Sequence, residues 1–155
     1  MKTEFTVEAF MTRDIIVAGF HNKFSEVLKF FSIHGIRHLP VVNENEELVG
    51  IVSLKDLIRI VYTETQHNGS FSLEEVNLKY PMGDLMSKNP LTVSPDTKLT
   101  IALKMLQEVP FQALPVIQDN KVVGIITTLD FVEIFSKDLN PPHPFFTIEN
   151  PGFGI

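Results

Sequence analysis

The sequence predicts an α/β (α+β) fold built from two tandem βαββα repeats, and three observations carry that prediction. The chain resembles itself at an offset of 75 positions. Each copy holds one helix-period apolar stripe, and each stripe is followed by two short Val/Ile-rich runs joined by a short polar turn. A period of that length decides the architecture before any local propensity does.

The copies align motif by motif. FMTRD at 10–14 falls on LMSKN at 85–89, HLPVV at 38–42 on ALPVI at 113–117, and GIVSLKD at 50–56 on GIITTLD at 124–130 after the second copy loses one turn residue. A first strand is expected at IIV, 15–17, and its counterpart at LTV, 91–93, beside the turn-forming Pro90 and SPD. Phe24, Val27, Leu28 and Phe31 recur at helical spacing, and Leu99, Ala102, Leu103 and Leu106 do so in register, with Gly35 and Pro110 as stops. LPVV then LVGIV, and LPVI then VVGII, read as buried strands. The turns NENEE and QDN are short enough to force antiparallel hairpins. DLIRIVY and DFVEIF close the copies as helices.

This divides the chain into a first repeat with an N-terminal helix at 1–62, a linker insert at 63–79, a second repeat at 80–136 and an irregular tail at 137–155. Within the insert, SLEE at Ser72 is a capping box that predicts a short helix. The tail, rich in proline and carrying three phenylalanines, predicts no regular structure.

Composition limits the function. At 155 residues and 44% hydrophobic the chain can bury a core of its own. A formal charge of −6 with no basic run argues against polymeric nucleic acid as a partner. No cysteine is present, so disulfides and thiolate chemistry are excluded. The opening MKTEFTVEAF is not a secretory signal and no apolar run reaches membrane-spanning length, so neither export nor a membrane is expected and the chain is placed in the cytoplasm.

The chemistry-bearing pattern is GIVSLKD. Ser53 followed three residues later by Asp56, at a strand-to-helix junction, is a complete helix cap and needs no ligand to explain it. The same junction also offers amides to an anion, and an acceptor-only Asp suits a pair of sugar hydroxyls. If NENEE closes the hairpin with Val42 opposite Leu48, then Leu39 faces Ile51 and Arg37 faces Ser53. Arg37 and His38 would then stand beside the hydroxyl as phosphate ligands, or else as a solvated strand entrance. Gln112 and Ala113 take their places in the second copy, so two unequal sites are expected.

Other signals are weaker. His34 and His38 have a metal-ligand spacing, but Gly35 and the following Pro40 indicate that the helix has already ended, and no metal site is expected. His21, His67 and His143 read as surface residues, and Met11 and Met86 as packing. No nucleophile elbow is present and no catalytic residue is assigned; the chain is not expected to be an enzyme.

Two copies, each with LPV(V/I) followed by a Gly-led motif ending in (S/T)xxD, resemble the tandem CBS domain pair, the Bateman module named after cystathionine β-synthase. The resemblance covers residues 7 to 136. MSKNPLTVSPDTKL at 86–99 is close to the family opening, whereas MTRDIIVAGFHNKF in the first copy lacks its NP and TVSPDT. The resemblance implies a pseudo-two-fold pair that binds AMP, ADP, ATP or a related adenosyl compound between the repeats as a regulatory ligand, with no cofactor. It implies a first site of Asp56, Ser53, Gly50, Arg37 and His38 with Thr97 and Ala102 from the facing copy. It implies a second, weaker site of Asp130, Thr127 and Gly124 with Asn22 and Val27, lacking the cation and the threonine. It further implies a homodimer formed through helices, and regulation of an unidentified protein target. The competing reading is a constitutive interaction scaffold with degenerate ligand sites.

Overall fold

A computed structural model describes residues 5–110 and 112–137; the tail read as irregular lies outside the described residues apart from Lys137. After a 3-10 turn at Val7–Ala9 the elements are β1 (Ala18–Gly19), α1 (Phe24–His34), β2 (His38–Val42), β3 (Leu48–Ser53), α2 (Leu54–Asn68), α3 (Leu73–Lys79), α4 (Met82–Leu85), β4 (Ser87–Lys88), α5 (Leu99–Glu108), β5 (Ala113–Gln118), β6 (Lys121–Thr127) and α6 (Thr128–Lys137). The two predicted repeats are present. The N-terminal helix reduces to the single 3-10 turn.

Helix boundaries follow their capping chemistry. The Glu26 carboxylate accepts from the Lys23 amide at 2.8 Å to start α1, and Gly35, at φ +61°, ends it in the left-handed conformation that glycine adopts without strain. Ser53 caps α2. Ser72 caps α3, the short helix that the SLEE motif predicts. The insert is anchored, since the buried Glu64 of α2 accepts hydrogen bonds from Lys79 Nζ at 2.6 Å and Tyr80 Oη at 2.7 Å. Those two donors hold the Glu64 carboxyl below its ordinary pKa.

Sheet pairing reveals an exchange between the repeats. In the first sheet, ordered β1-β2-β3-β4, Ala18 pairs parallel with Val41 and Ser87 antiparallel with Ile51. The second sheet, β5 and β6, is flanked by isolated bridges that repeat the arrangement: Val93 parallel to Val116, and Thr12 antiparallel to Ile125. Thus β4, which opens the second repeat, completes the sheet of the first, and Thr12, which opens the first, lies on the sheet of the second. The cores follow the same rule. Val7 and Met11 pack with Leu99, Leu114, Val116 and Ile126, while Met82 and Leu85 pack with Phe24, Phe31, Leu39 and Val52.

Two expectations are corrected. The first strand lies at Ala18–Gly19 rather than at 15–17, and in the second copy only Val93 makes a bridge, because Ile117 donates to its carbonyl at 2.8 Å and its amide donates to Pro115 at 3.1 Å. The hairpin register also differs. Val42 does face Leu48, but Leu39 faces Val52 and His38, rather than Arg37, faces Ser53. Val49 is the extra residue of a β-bulge between Val41 and Val42, and one bulged residue moves every later pairing by one. The second hairpin carries the same bulge between Val116 and Ile117.

Gly50 and Gly124 admit the exchanged segments. A Cβ on Gly50 would sit 2.4 Å from Met86 Sδ and 2.9 Å from the Ser87 carbonyl oxygen; on Gly124 it would sit 2.6 Å from Met11 Sδ and 3.0 Å from the Thr12 carbonyl oxygen. The methionine thioethers can move, but the backbone oxygens are held by the ladder. Gly50→Ala and Gly124→Ala are each expected to destabilise the fold by about 1–3 kcal/mol in chemical denaturation. A neutral result for both would show that the opening segments do not seat there.

Candidate functional site

The strand entrances Arg37 and Gln112 occupy equivalent places. The Leu54 amide donates to the Arg37 carbonyl at 2.9 Å and the Thr128 amide to the Gln112 carbonyl at 3.0 Å, so each entrance is tied to the first turn of its closing helix. At the opposite end of the hairpins Lys121 bonds the Asn45 carbonyl and the Glu46 carboxylate, which sets the two turns side by side. The entrances meet at two adjoining clefts.

The first cleft, about 350 Å³, is lined by Arg37, His38, Ser53, Leu54, Lys55 and Ile58 of the first repeat with Pro110 and Gln112 of the second. Beside the second cleft, about 370 Å³, Thr127 and Asp130 of the second repeat face Arg37 and His38 of the first, with Thr12, Ile36, Gln112 and Ile125 among the other walls. Arg37, His38 and Gln112 therefore line both cavities.

The two acids are in different states. Asp56 accepts from Ser53 Oγ on Oδ2 and from Arg59 Nη2 on Oδ1 at 3.1 Å, and its side chain is 22% exposed. Both of its oxygens are thus engaged, and Asp56 is not among the residues lining the first cleft. Asp130 lines the second cleft and accepts the Thr127 amide at 2.6 Å and Thr127 Oγ1 at 2.9 Å, both on Oδ2. Its Oδ1 accepts no hydrogen bond from the described residues. The cause is one residue: where Asp56 has Arg59 three positions on, Asp130 has Glu133, which cannot donate to it.

The structure rearranges the predicted sites. Arg37, His38 and Ser53 meet in the first cleft, but the residues expected from the facing copy do not line it. Thr97 Oγ1 is bonded to Ser94 at the rim of a separate recess with Ile101 and Met105, and Ala102 is fully buried in the second core. Gly50 and Gly124 serve the close approach of Met86 and Met11. In the second site Asp130 and Thr127 meet, whereas Asn22 accepts from the Gly19 amide at 2.7 Å beside another hollow and Val27 is fully buried in the first core. Arg37, His38 and Thr12 line the same cavity as Asp130 and Thr127. Sequence reasoning missed Thr12, Lys55 and Ile36. For Thr12 the signal is the exchange itself, visible only once the opening segments are paired across the repeats.

The model of the CBS domain matches residues 7–63 and 82–137. The chain belongs to the CBS domain family. As a CBS pair it is 31% identical to CBSX2 of Arabidopsis thaliana, covering 88% of this chain and 97% of that one with a TM-score of 0.73. A CBSX2 structure in complex with AMP gives 31% identity, 86% and 98% coverage and a TM-score of 0.70. The CBS domain pair of protein MJ0100, solved with 5′-methylthioadenosine and S-adenosyl-L-methionine, gives 25% identity, 84% and 99% coverage and a TM-score of 0.65. An inosine-5′-monophosphate dehydrogenase of Korarchaeum cryptofilum is 30% identical over 94% of this chain. The chain spans 26%, 58%, 43% and 13% of the lengths of that enzyme and three other curated relatives.

Among the described residues no helix is long and apolar enough to cross a membrane, and no cluster of three or more His, Cys, Asp or Glu is placed to hold a metal. The charge state of the seam is set by burial. Burial holds the His38 imidazole below its ordinary pKa, the Arg37 guanidinium adds to the effect, and Asp56 opposes it. An unfolded His38 therefore takes up its proton at a higher pH than the folded one, so stability is complete above about pH 6.5 and is lost as pH falls through that value toward the folded pKa. In that window the Glu26 and Glu64 carboxyls, both lowered by hydrogen bonding, remain ionised. The melting temperature is expected to fall between pH 7 and pH 5, and His38→Gln to flatten part of that slope; an unchanged slope in the variant would remove His38 as its cause.

Proposed function

We propose that this CBS pair is a regulatory, non-catalytic module that binds an adenosine nucleotide between its repeats and thereby controls a protein target. The observation that carries the reading is the second cleft. An acid with one oxygen open to a sugar diol and a threonine hydroxyl on the same turn face an arginine and a histidine of the other repeat. Ile36, Ile125 and Leu129 supply apolar wall for a base. Support comes from the CBSX2 relative solved with AMP and the MJ0100 pair solved with two adenosyl compounds. Of the two sites, the Asp130 cleft is the better equipped, because Asp56 must first give up its bond to Arg59. That bond is a surface pair worth at most about 1 kcal/mol, so the first site stays accessible to a ligand but starts from a closed acid.

A ligand at about 100 times its Kd adds about 2.7 kcal/mol to folded-state stability, so AMP, ADP or ATP is expected to raise the melting temperature. Asp130→Asn is expected to weaken that nucleotide by about tenfold to a hundredfold, and Asp56→Asn by less. If no adenosine compound shifts the melt of the native chain, the reading fails and a constitutive scaffold replaces it.

The partner expected through helices is a second copy. On α2, Ile58 and Tyr62 are 59% and 65% exposed, and on α6, Val132 and Phe135 are 61% and 55% exposed. These exposed apolar residues sit on helices related by the repeat and are suited to burial against a second copy. Light scattering is expected to give a dimer and Tyr62→Glu with Val132→Glu a monomer; a monomeric native chain would refute the contact.

A further inference from the structure

The two clefts differ in charge as well as in place. The walls of the first carry Arg37, His38 and Lys55 and no acid, since Asp56 is held by Ser53 and Arg59 outside the lining. The second is walled by Asp130 and Glu133, and the cation in its lining is the shared Arg37, with the half-buried His38 beside it. Repeat arithmetic shows how the asymmetry arises. Arg37, His38, Lys55 and Arg59 correspond to Gln112, Ala113, Leu129 and Glu133, so at four equivalent places the first repeat is basic and the second neutral or acidic.

The cations of this arrangement are gathered on one side of the seam. In the second cleft a phosphate group has only the shared Arg37 guanidinium, whereas the first cleft adds Lys55 to it. The neutral Gln112 provides no second arm, although its backbone is held as that of Arg37 is.

Resting on the adenosine reading above, we propose that the adjoining clefts form one compound site for a single nucleoside polyphosphate. The nucleoside occupies the Asp130 cleft, the α-phosphate lies on Arg37 and His38 at the shared wall, and the outer phosphates extend into the first cleft toward Lys55. Lys55 is thereby the residue that distinguishes a triphosphate from a monophosphate. Acid on the nucleoside side and cation on the phosphate side give the ligand one orientation. Ser53 lies in the same lining at the start of α2, where the positive end of the helix favours an anion and the lysine supplies the point charge.

Calorimetry on the full chain tests the assignment with AMP, ADP and ATP. One ATP is expected per chain, bound about tenfold more tightly than AMP with ADP between them, and the advantage is expected to shrink as salt is raised. Lys55→Gln is expected to remove most of the ATP advantage while leaving AMP affinity within about twofold, whereas Arg37→Gln weakens all three. Thermal melts of the free variants verify folding, and Lys55→Arg, which keeps the charge, is expected to restore the order. Two ATP per chain, equal affinities across the series, or a Lys55→Gln loss shared equally by AMP would overturn the compound site while leaving the adenosine reading intact. Failure of all three nucleotides to bind the native chain would instead overturn the adenosine reading, and the compound site with it.

Discussion

The arrangement depends on a reciprocal loan of backbone between the repeats. Thr12 exchanges hydrogen bonds with Ile125 at 2.9 and 3.1 Å, and Ser87 takes the matching place beside Ile51. Each opening segment then places a methionine over a glycine of the other repeat, where no Cβ intrudes. Neither half carries a complete sheet or core of its own, because Val7 belongs to the second core and Met82 to the first. The clefts are a consequence. Crossing the opening segments draws the strand entrances Arg37 and Gln112 together, and Thr12 becomes a wall of the cavity beneath Asp130.

That dependence explains which parts of the fold could be read from residues. Helices announce themselves locally. The stripe Phe24, Val27 and Phe31 and the caps at Ser53 and Ser72 each involve neighbours within one or two turns, and all form as expected. The hairpins were legible from their Val/Ile runs and short turns. Their register was not, since counting inward from Val42 and Leu48 assumes one residue against one, and Val49 breaks that rule within a single step. A bulge leaves little trace in a short apolar run where every residue is suited to a strand.

The site was legible in its composition and illegible in its grouping. Asp130, Thr127, Arg37 and His38 were all singled out as ligand-bearing, and they do line a common cavity. Sequence reading keeps each cation with the acid of its own repeat, whereas Arg37 and His38 line the cavities on both sides of the seam. Sequence proximity favours that grouping, but the entrances lie at the seam, where the distance to either helix start is set by packing rather than by chain order. Gly50, Gly124, Ala102 and Val27 were drawn in by motif position, and each is accounted for by close packing.

A duplicated backbone with unduplicated charges is the feature that gives this pair its polarity. Equivalent amides of Leu54 and Thr128 hold equivalent entrances, so the two halves offer the same scaffold. On it, Arg59 occupies the bare oxygen of Asp56, while Glu133 at the matching place leaves that of Asp130 unbonded. One substitution three residues down a helix therefore decides which acid is available, at a difference of no more than a surface ion pair, about 1 kcal/mol. Because the backbone cradle is common to both halves, such a small difference can reassign the site without disturbing the fold. The same economy holds at the seam, where a guanidinium in one copy and an amide in the other make two cavities on a common scaffold unequal in charge.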